Sequence, residues 1–282
     1  MAKEFLNFMQ KLDNKNVLLV DSLNLGFRYK HKGSTNFVDD YRRTVQSLAK
    51  SYNCGKVIIT ADGGASSYRK HIFPEYKGNR ADLRAKQTDK EKEDFEAFFI
   101  EYENTILQLS LDYPVLKYKG VEADDIAAYI VKHRESLGID NIWLISSDRD
   151  WDLLLNPYVS RFSYVTRKEH TFANWFDYYA FPIEKYISYK CLVGDPGDNI
   201  PGIEGIGPKR ATALIAEYGS AFDIYEACPI DAKYAYIKNL NKNAEQLLVN
   251  IELMDLLSYC ECAIGESASD ITERVLEYIN EG

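Results

Sequence analysis

Three short apolar runs stand out along the chain: NVLLVD at Asn16–Asp21, KVIITAD at Lys56–Asp62 and NIWLISSD at Asn141–Asp148. Runs of this length without polar alternation mark strands buried on both faces. Each ends in aspartate. Between them, Asp39–Ser51 and Asp89–Ser110 carry apolar residues at helical spacing, the alternation expected of parallel strands joined by crossover helices. From Pro182 onward helical spacing takes over, at Pro182–Val193, Lys209–Tyr218, Phe222–Cys228, Ala244–Ser258 and Ile271–Asn280. The pattern predicts an α/β fold over 1–181, with a central, mostly parallel sheet flanked by helices, and a smaller helical subdomain over 182–282. No long linker or low-complexity tract separates them, so both pack as one body.

With 282 residues, 46% of them apolar, the chain holds one or two domains with a real core. No apolar run approaches the ~20 residues that span a bilayer, so no membrane partner is expected. The N-terminal MAKEFLNFMQKLDNKN is charged where a signal peptide needs an apolar stretch, which predicts a cytoplasmic protein. Five cysteines without a CxxC pair and four histidines far apart fit neither a disulfide framework, a zinc site nor a hydrolase triad.

The net charge of −9 argues against a nucleic-acid partner only until it is located. Residues 223–282 hold 12 acidic and 4 basic residues, which leaves 30 basic and 31 acidic residues in 1–222. The acidity sits mostly at one end.

Ligands of open α/β sheets bind outside the carboxyl ends of the strands, where Asp21, Asp62 and Asp148 converge. Asp150 follows in SSDRDWD, Glu122, Asp124 and Asp125 open the helical pattern VEADDIAAYIV, and Asp195 and Asp198 sit in GDPGDN. Any one of these nine acids is explained by a helix N-terminus or a turn. Together they would repel one another without cations. Oxygen ligands with no His or Cys beside them suit Mg²⁺ or Mn²⁺, and two such ions are the usual apparatus of phosphodiester hydrolysis. Outside the nine acids, residues 1–222 carry 30 basic against 22 acidic residues, a body basic enough to hold phosphate.

GDPGDNIPGIEGIGPKR at 194–210 places Gly202, Gly205 and Gly207 before a helix starting near Pro208. It lacks the third glycine and the preceding strand of a dinucleotide fingerprint. Backbone N–H groups at such a helix start, with Lys209 and Arg210, suit a sequence-independent grip on duplex phosphates; a plain helix-turn-helix connection accounts for the glycines alone. Arg69–Lys92 holds eight basic residues against four acids around PEYKGNR. There Tyr76 is placed to stack on a base, and Lys77 and Arg80 to meet phosphates, as in single-strand binding sites; a solvated charged face is the alternative.

VEADDIAAYIV, SSDRD and GDPGDNIPGIEGIGPKRA together resemble the 5′-nuclease superfamily, which includes flap endonucleases and the 5′ to 3′ exonuclease domain of bacterial DNA polymerase I. LNLGFRYKH, PEYKGNR and VSRFSYVTR make the chain most similar to the T-five-like bacteriophage branch of flap endonucleases, or 5′ to 3′ exodeoxyribonucleases. Polymerase-type members have Phe before the second-strand Asp, whereas Ala61 stands there, and no polymerase domain follows Gly282.

The resemblance implies a PIN-like 5′-nuclease core with a helical arch over about 77–99, and a helix-hairpin-helix type element in the C-terminal subdomain. It implies a metal-dependent nuclease of DNA replication that cuts 5′ flaps, branched duplex and single-stranded 5′ ends, acting as a monomer in the cytoplasm of a bacterial host. Glu122, Asp124, Asp148 and Asp62 would belong to a first metal site, with Asp21 through water; Asp125, Asp150, Asp195 and Asp198 would complete or neighbour a second. Lys77 matches the family's active-site lysine, and Arg80 the arginine one turn later. Arg28, Tyr76, Arg84, Lys190, Gly205, Gly207, Lys209 and Arg210 join them as expected nucleic-acid contacts, with K⁺ at the hairpin element. Two other readings remain: a PIN-type ribonuclease, which needs neither the Gly-rich element nor a basic arch, and a junction-binding module without catalysis, which would be expected to lack some of the nine acids.

Overall fold

A computed structural model describes residues 12–31, 33 and 36–281; the charged N-terminal stretch through Lys11 lies outside them. β1 (Asp13–Asp21) runs into α1 (Ser22–His31) and α2 (Val38–Ser51), and β2 (Cys54–Thr60) into α3 (Ser67–Ile72), α4 (Asn79–Ala85) and the long α5 (Asp89–Leu109). β3 (Val115–Leu116), α6 (Ala123–Lys132), β4 (Asn141–Ile145), a 3-10 turn at Arg149–Leu154, β5 (Val159–Ser163) and β6 (Lys168–His170) complete the α/β part.

The six strands lie in the order β3-β2-β1-β4-β5-β6. All neighbours are parallel except β5 and β6. The three apolar runs are its central strands. Residues 17–20 of β1 are fully buried because both faces are covered. Leu18 and Val20 pack with Leu25, Tyr41, Val45, Phe98 and Tyr102 of α1, α2 and α5, whereas Val17 and Leu19 face Ile126 and Ile130 of α6, the period-two alternation of a strand. The crossovers from β1 proceed through β2 to β3 on one side and through β4 to β5 on the other. The sheet therefore reverses its winding between β1 and β4, the place where open α/β sheets hold ligands. Asp21 ends β1 there, and Asp148 lies just past β4.

The C-terminal part contains α7 (Tyr186–Val193), the small hairpin of β7 (Gly194–Asp195) and β8 (Ile200–Pro201), α8 (Pro208–Tyr218), α9 (Ala221–Ala227), α10 (Ala235–Lys242), α11 (Glu245–Met254), α12 (Leu256–Ile264) and α13 (Ala268–Asn280). The single helix expected over 244–258 is broken at Asp255, whose carboxylate accepts the Ser258 N–H at 3.1 Å and starts a new helix. The break has a consequence for packing. Leu192, Leu214, Ile224, Leu240 and Leu247 form a core of the middle helices, while Leu256, Cys260, Ile271 and Val275 of α12 and α13 return to the sheet face held by α6. Among the described residues no helix is long and apolar enough to cross a membrane.

Candidate active site at the strand ends

Asp21 is buried, accepting the Ser146 hydroxyl at 2.7 Å and the Asn24 N–H at 3.1 Å. Burial, with the Asp62 charge nearby, pushes its carboxyl up to about 7. Asp62 is exposed, yet the protein packed on its inner side raises its carboxyl; it accepts the Ala123 N–H at 2.8 Å, at the start of α6. Asp124 accepts the indole N–H of fully buried Trp151 at 2.6 Å. Burial and the charge of Asp148 hold it well above the usual carboxylate range. Asp148 accepts the Asp150 N–H at 2.9 Å, a local turn that presents both acids. The winding reversal thus gathers carboxylates that raise one another's affinity for protons.

Glu122 behaves in the opposite way. Its burial is outweighed by Lys77 and Arg69, which hold its carboxyl low. Lys77 Nζ lies 2.6 Å from Oε1, the Tyr76 hydroxyl donates to Oε2 at 2.7 Å, and Arg69 Nη1 reaches Oε2 at 3.4 Å. Asp198 accepts from Arg80 at 2.8 Å and from Tyr76 at 3.0 Å, with Lys77 at 3.5 Å. Lys77 has φ of 56°, a conformation side chains rarely adopt, and its N–H donates to the Asp198 carbonyl at 2.9 Å. Backbone strain at a chemically loaded position is characteristic of functional sites. Asp150 and Asp195 share Lys190, which bonds to Asp150 and lies 3.1 Å from Asp195. Burial nevertheless leaves Asp150 at about 6.

Three expected roles change. Tyr76 cannot stack on a base: it is 2% exposed, with its ring in the core and its hydroxyl on two carboxylates. Lys190 is buried between Asp150 and Asp195, a counter-charge to acids and not a surface for phosphate. Asp125 is taken up by Arg69, whose Nη1 it shares with Glu122. It is fully buried, and Arg69 takes both its oxygens at 2.8 and 2.7 Å.

The remaining expected contacts lie at a distance from the acids or on the surface. Arg28 lines a cleft of about 580 Å³ with Arg43, Thr44, Tyr164 and Arg167, stacked 4.1 Å over the Tyr164 ring. Arg84 is exposed on α4. Gly205, Gly207, Lys209 and Arg210 are exposed at the start of α8. Gly205 takes φ of 81°, and Arg210 braces that turn through the Gly205 carbonyl while stacking on Tyr236. The segment 77–99, expected to form an arch, divides into α4 and the first half of α5, which opens on a capping box between Thr88 and Glu91.

The site also uses residues that sequence reasoning passed over. Arg69 counted only as one charge of a basic run, and Ser146 and Trp151 as parts of an acid-bearing loop. A buried arginine and an indole donor leave no spacing signal, because their role depends on partners from other elements. As they stand, no three acidic, His or Cys side chains among the described residues converge enough to hold an ion; each is tied to a lysine, arginine, hydroxyl or N–H.

Residues 16–179 match the family described as 5′-3′ exonuclease, N-terminal resolvase-like domain, and residues 181–274 the 5′-3′ exonuclease, C-terminal SAM fold. The flap endonuclease of Escherichia phage T5 is 41% identical over 288 aligned residues, covering 100% of this chain and 99% of that protein. DNA polymerase I of Rhizobium leguminosarum is 31% identical over 70% of the chain, which spans 18% of the polymerase. Among solved structures, the phage T5 flap endonuclease in a pseudo-enzyme–product complex with DNA and metal ions superposes with a TM-score of 0.90 at 42% identity, covering 94% of this chain and 100% of the other. A phage T5 5′-exonuclease with bound divalent zinc superposes equally, also at 0.90 and 42% identity.

Proposed function

The chain belongs to the 5′-3′ exonuclease family that includes the flap endonucleases, and from that membership we propose how its own residues carry the reaction. It is a structure-specific 5′-nuclease acting on DNA. We assign 1–181 to the catalytic core with its arch, and 182–282 to a DNA-gripping subdomain whose last two helices also cover the sheet.

The donor set fits divalent cations. Its ligands are oxygen only, and Asp21, Asp62 and Asp124 hold their carboxyls above the ordinary range because burial and neighbouring acids disfavour their charge, a situation a cation relieves. Asp62, Glu122, Asp124 and Asp148 would hold one Mg²⁺ or Mn²⁺, with Asp21 behind them, and Asp150, Asp195 and Asp198 a second. Asp125 is better explained as the partner that fixes Arg69. Bound there, two divalent ions supply Lewis-acid charge for in-line hydrolysis of a phosphodiester.

The chain's own groups do the rest. Lys77 and Arg80, at the base of α4, face the acids and would turn to the scissile phosphate as its charge develops. Tyr76 keeps Glu122 and Asp198 in register. The arch of α4 and α5 would pass the single-stranded 5′ end, while the Gly205–Arg210 turn, with K⁺, holds duplex phosphates.

The observation that carries this reading is the set of acids at the winding reversal with Lys77 inserted among them. A product-length assay on a 5′-labelled flap, titrated with Mg²⁺, tests it: short flap products that require the metal are expected. Undiminished wild-type cleavage in EDTA would overturn it.

A further inference from the structure

Asp148 lies on the loop after β4 and Asp150 in the 3-10 turn that follows; the hydrogen bond between them fixes the two relative to each other but does not tie this segment to the sheet. Both its ends are gripped by one residue. Arg161, in the middle of β5, is 1% exposed; its Nη1 donates to the Ser146 carbonyl at 2.9 Å and its Nε to Asp152 Oδ1 at 2.7 Å. We infer that Arg161 is a positioning residue of the nuclease site, closing the 146–152 segment into a fixed loop and thereby aiming Asp148 and Asp150. The inference rests on the metal reading above.

The connections run outward from the clamp. Ser146, whose carbonyl Arg161 holds, donates its hydroxyl to Asp21 and accepts the Asp148 N–H at 3.1 Å on the same oxygen. Asp148 in turn accepts the Asp150 N–H. At the other end Asp152 is fully buried, with Tyr179 donating to Oδ2 at 3.0 Å and His170 Nδ1 3.3 Å away. Tyr186 bonds to the Arg149 carbonyl at 3.3 Å. Between these ends Trp151 points inward to Asp124. Asp21 and Asp148, and Asp124 through Trp151, are therefore set by contacts that lead back to one guanidinium, while Asp150 has its backbone on Asp148 and its carboxylate on Lys190.

A buried ion pair is weak evidence for stability, since apolar residues of similar volume often replace one without loss. That separates positioning from folding. The double variant Arg161→Met/Asp152→Asn keeps the volume, leaves the Tyr179 hydroxyl an acceptor and removes the clamp. It is expected to melt near the wild-type temperature without metal, to bind Mn²⁺ at least tenfold more weakly by electron paramagnetic resonance, and to lose kcat at saturating Mg²⁺ with KM for flap DNA unchanged. Arg161→Lys, which keeps the charge opposite Asp152 but not the planar two-point grip, is expected to fall between the two. If the double variant does not fold, the lysine variant alone decides. Wild-type Mn²⁺ binding and kcat in a folded variant would overturn the positioning role. Failure of the wild-type protein itself to bind Mn²⁺ would instead remove the metal reading beneath it.

Discussion

Lys77 Nζ lies 2.6 Å from Glu122 Oε1, so the residue just before α4 is held by an acid at the start of α6. The pair joins the segment that would admit the 5′ end to the acids that would cut it. On the proposed reading, removing the amine takes away charge at the developing phosphate but leaves the turn before α8, proposed to hold duplex, intact. Lys77→Ala is therefore expected to lower the single-turnover rate on a flap by ~10²–10³, with affinity for the same flap changed by only a few-fold. Equal losses in rate and affinity would assign Lys77 to binding alone.

Tyr76 gives a second check on the same corner. Its hydroxyl serves Glu122 and Asp198, while the ring is packed in the core with Ile203 and Leu214. Tyr76→Phe keeps the ring and removes only the hydrogen bonds, which to charged acceptors are worth ~1.5–3 kcal/mol each. A lower melting temperature is the expected result. A variant as stable as wild type would show that the hydroxyl does not hold these acids.

Lys190 compensates the charges of Asp150 and Asp195. Lys190→Met leaves two crowded carboxylates without their buried cation, a type of loss that costs ~3–5 kcal/mol. The variant should melt well below wild type in EDTA and recover more than wild type does when Mg²⁺ is added. Thermal melts with and without metal decide it; identical melts in EDTA would refute the compensation.

The strand-ending aspartates are legible because a buried strand run and its terminal residue are adjacent in sequence, which places Asp21, Asp62 and Asp148 at the carboxyl end of the sheet. Tyr76 and Lys190 are not, although both are singled out. An aromatic beside basic residues reads as a stacking platform and a lysine as a phosphate contact, and nothing local reveals that Tyr76 is buried against Glu122, 46 residues on, or Lys190 against Asp150, 40 residues back. Asp125 shows the same limit. Neighbouring Asp124 and Asp125 look equivalent, but helical rotation turns one towards Trp151 and the other into Arg69.

Lys56 tests stability apart from chemistry. It is buried in β2 and donates to the carbonyls of Tyr278, at 2.6 Å, and Glu281, with its ammonium 4.7 Å from the Tyr278 ring. A cation on the last carbonyls of a helix favours the macrodipole and ties α13 to the sheet. Lys56→Met is expected to lower stability by ~1–3 kcal/mol in denaturant unfolding, with flap cleavage at 25 °C unchanged.

Lys209 and Arg210 are neighbours with different work, and the difference is measurable. Lys209 is exposed at the start of α8, where backbone N–H groups and a positive helix end favour phosphate. Arg210 is exposed too, but its guanidinium already holds the Gly205 carbonyl and stacks 4.5 Å from the Tyr236 ring, so it shapes the turn that Gly205 makes possible at φ of 81°. Lys209→Ala should weaken duplex affinity and reduce the salt dependence by the share of one phosphate contact, a slope change of ~1, without altering the melting temperature. Arg210→Ala should lower affinity and stability together, because the turn loses its brace. Binding isotherms across a salt series, paired with thermal melts, separate the two; matching slope changes and matching melts in both variants would show that Arg210 is a second phosphate contact and not a support.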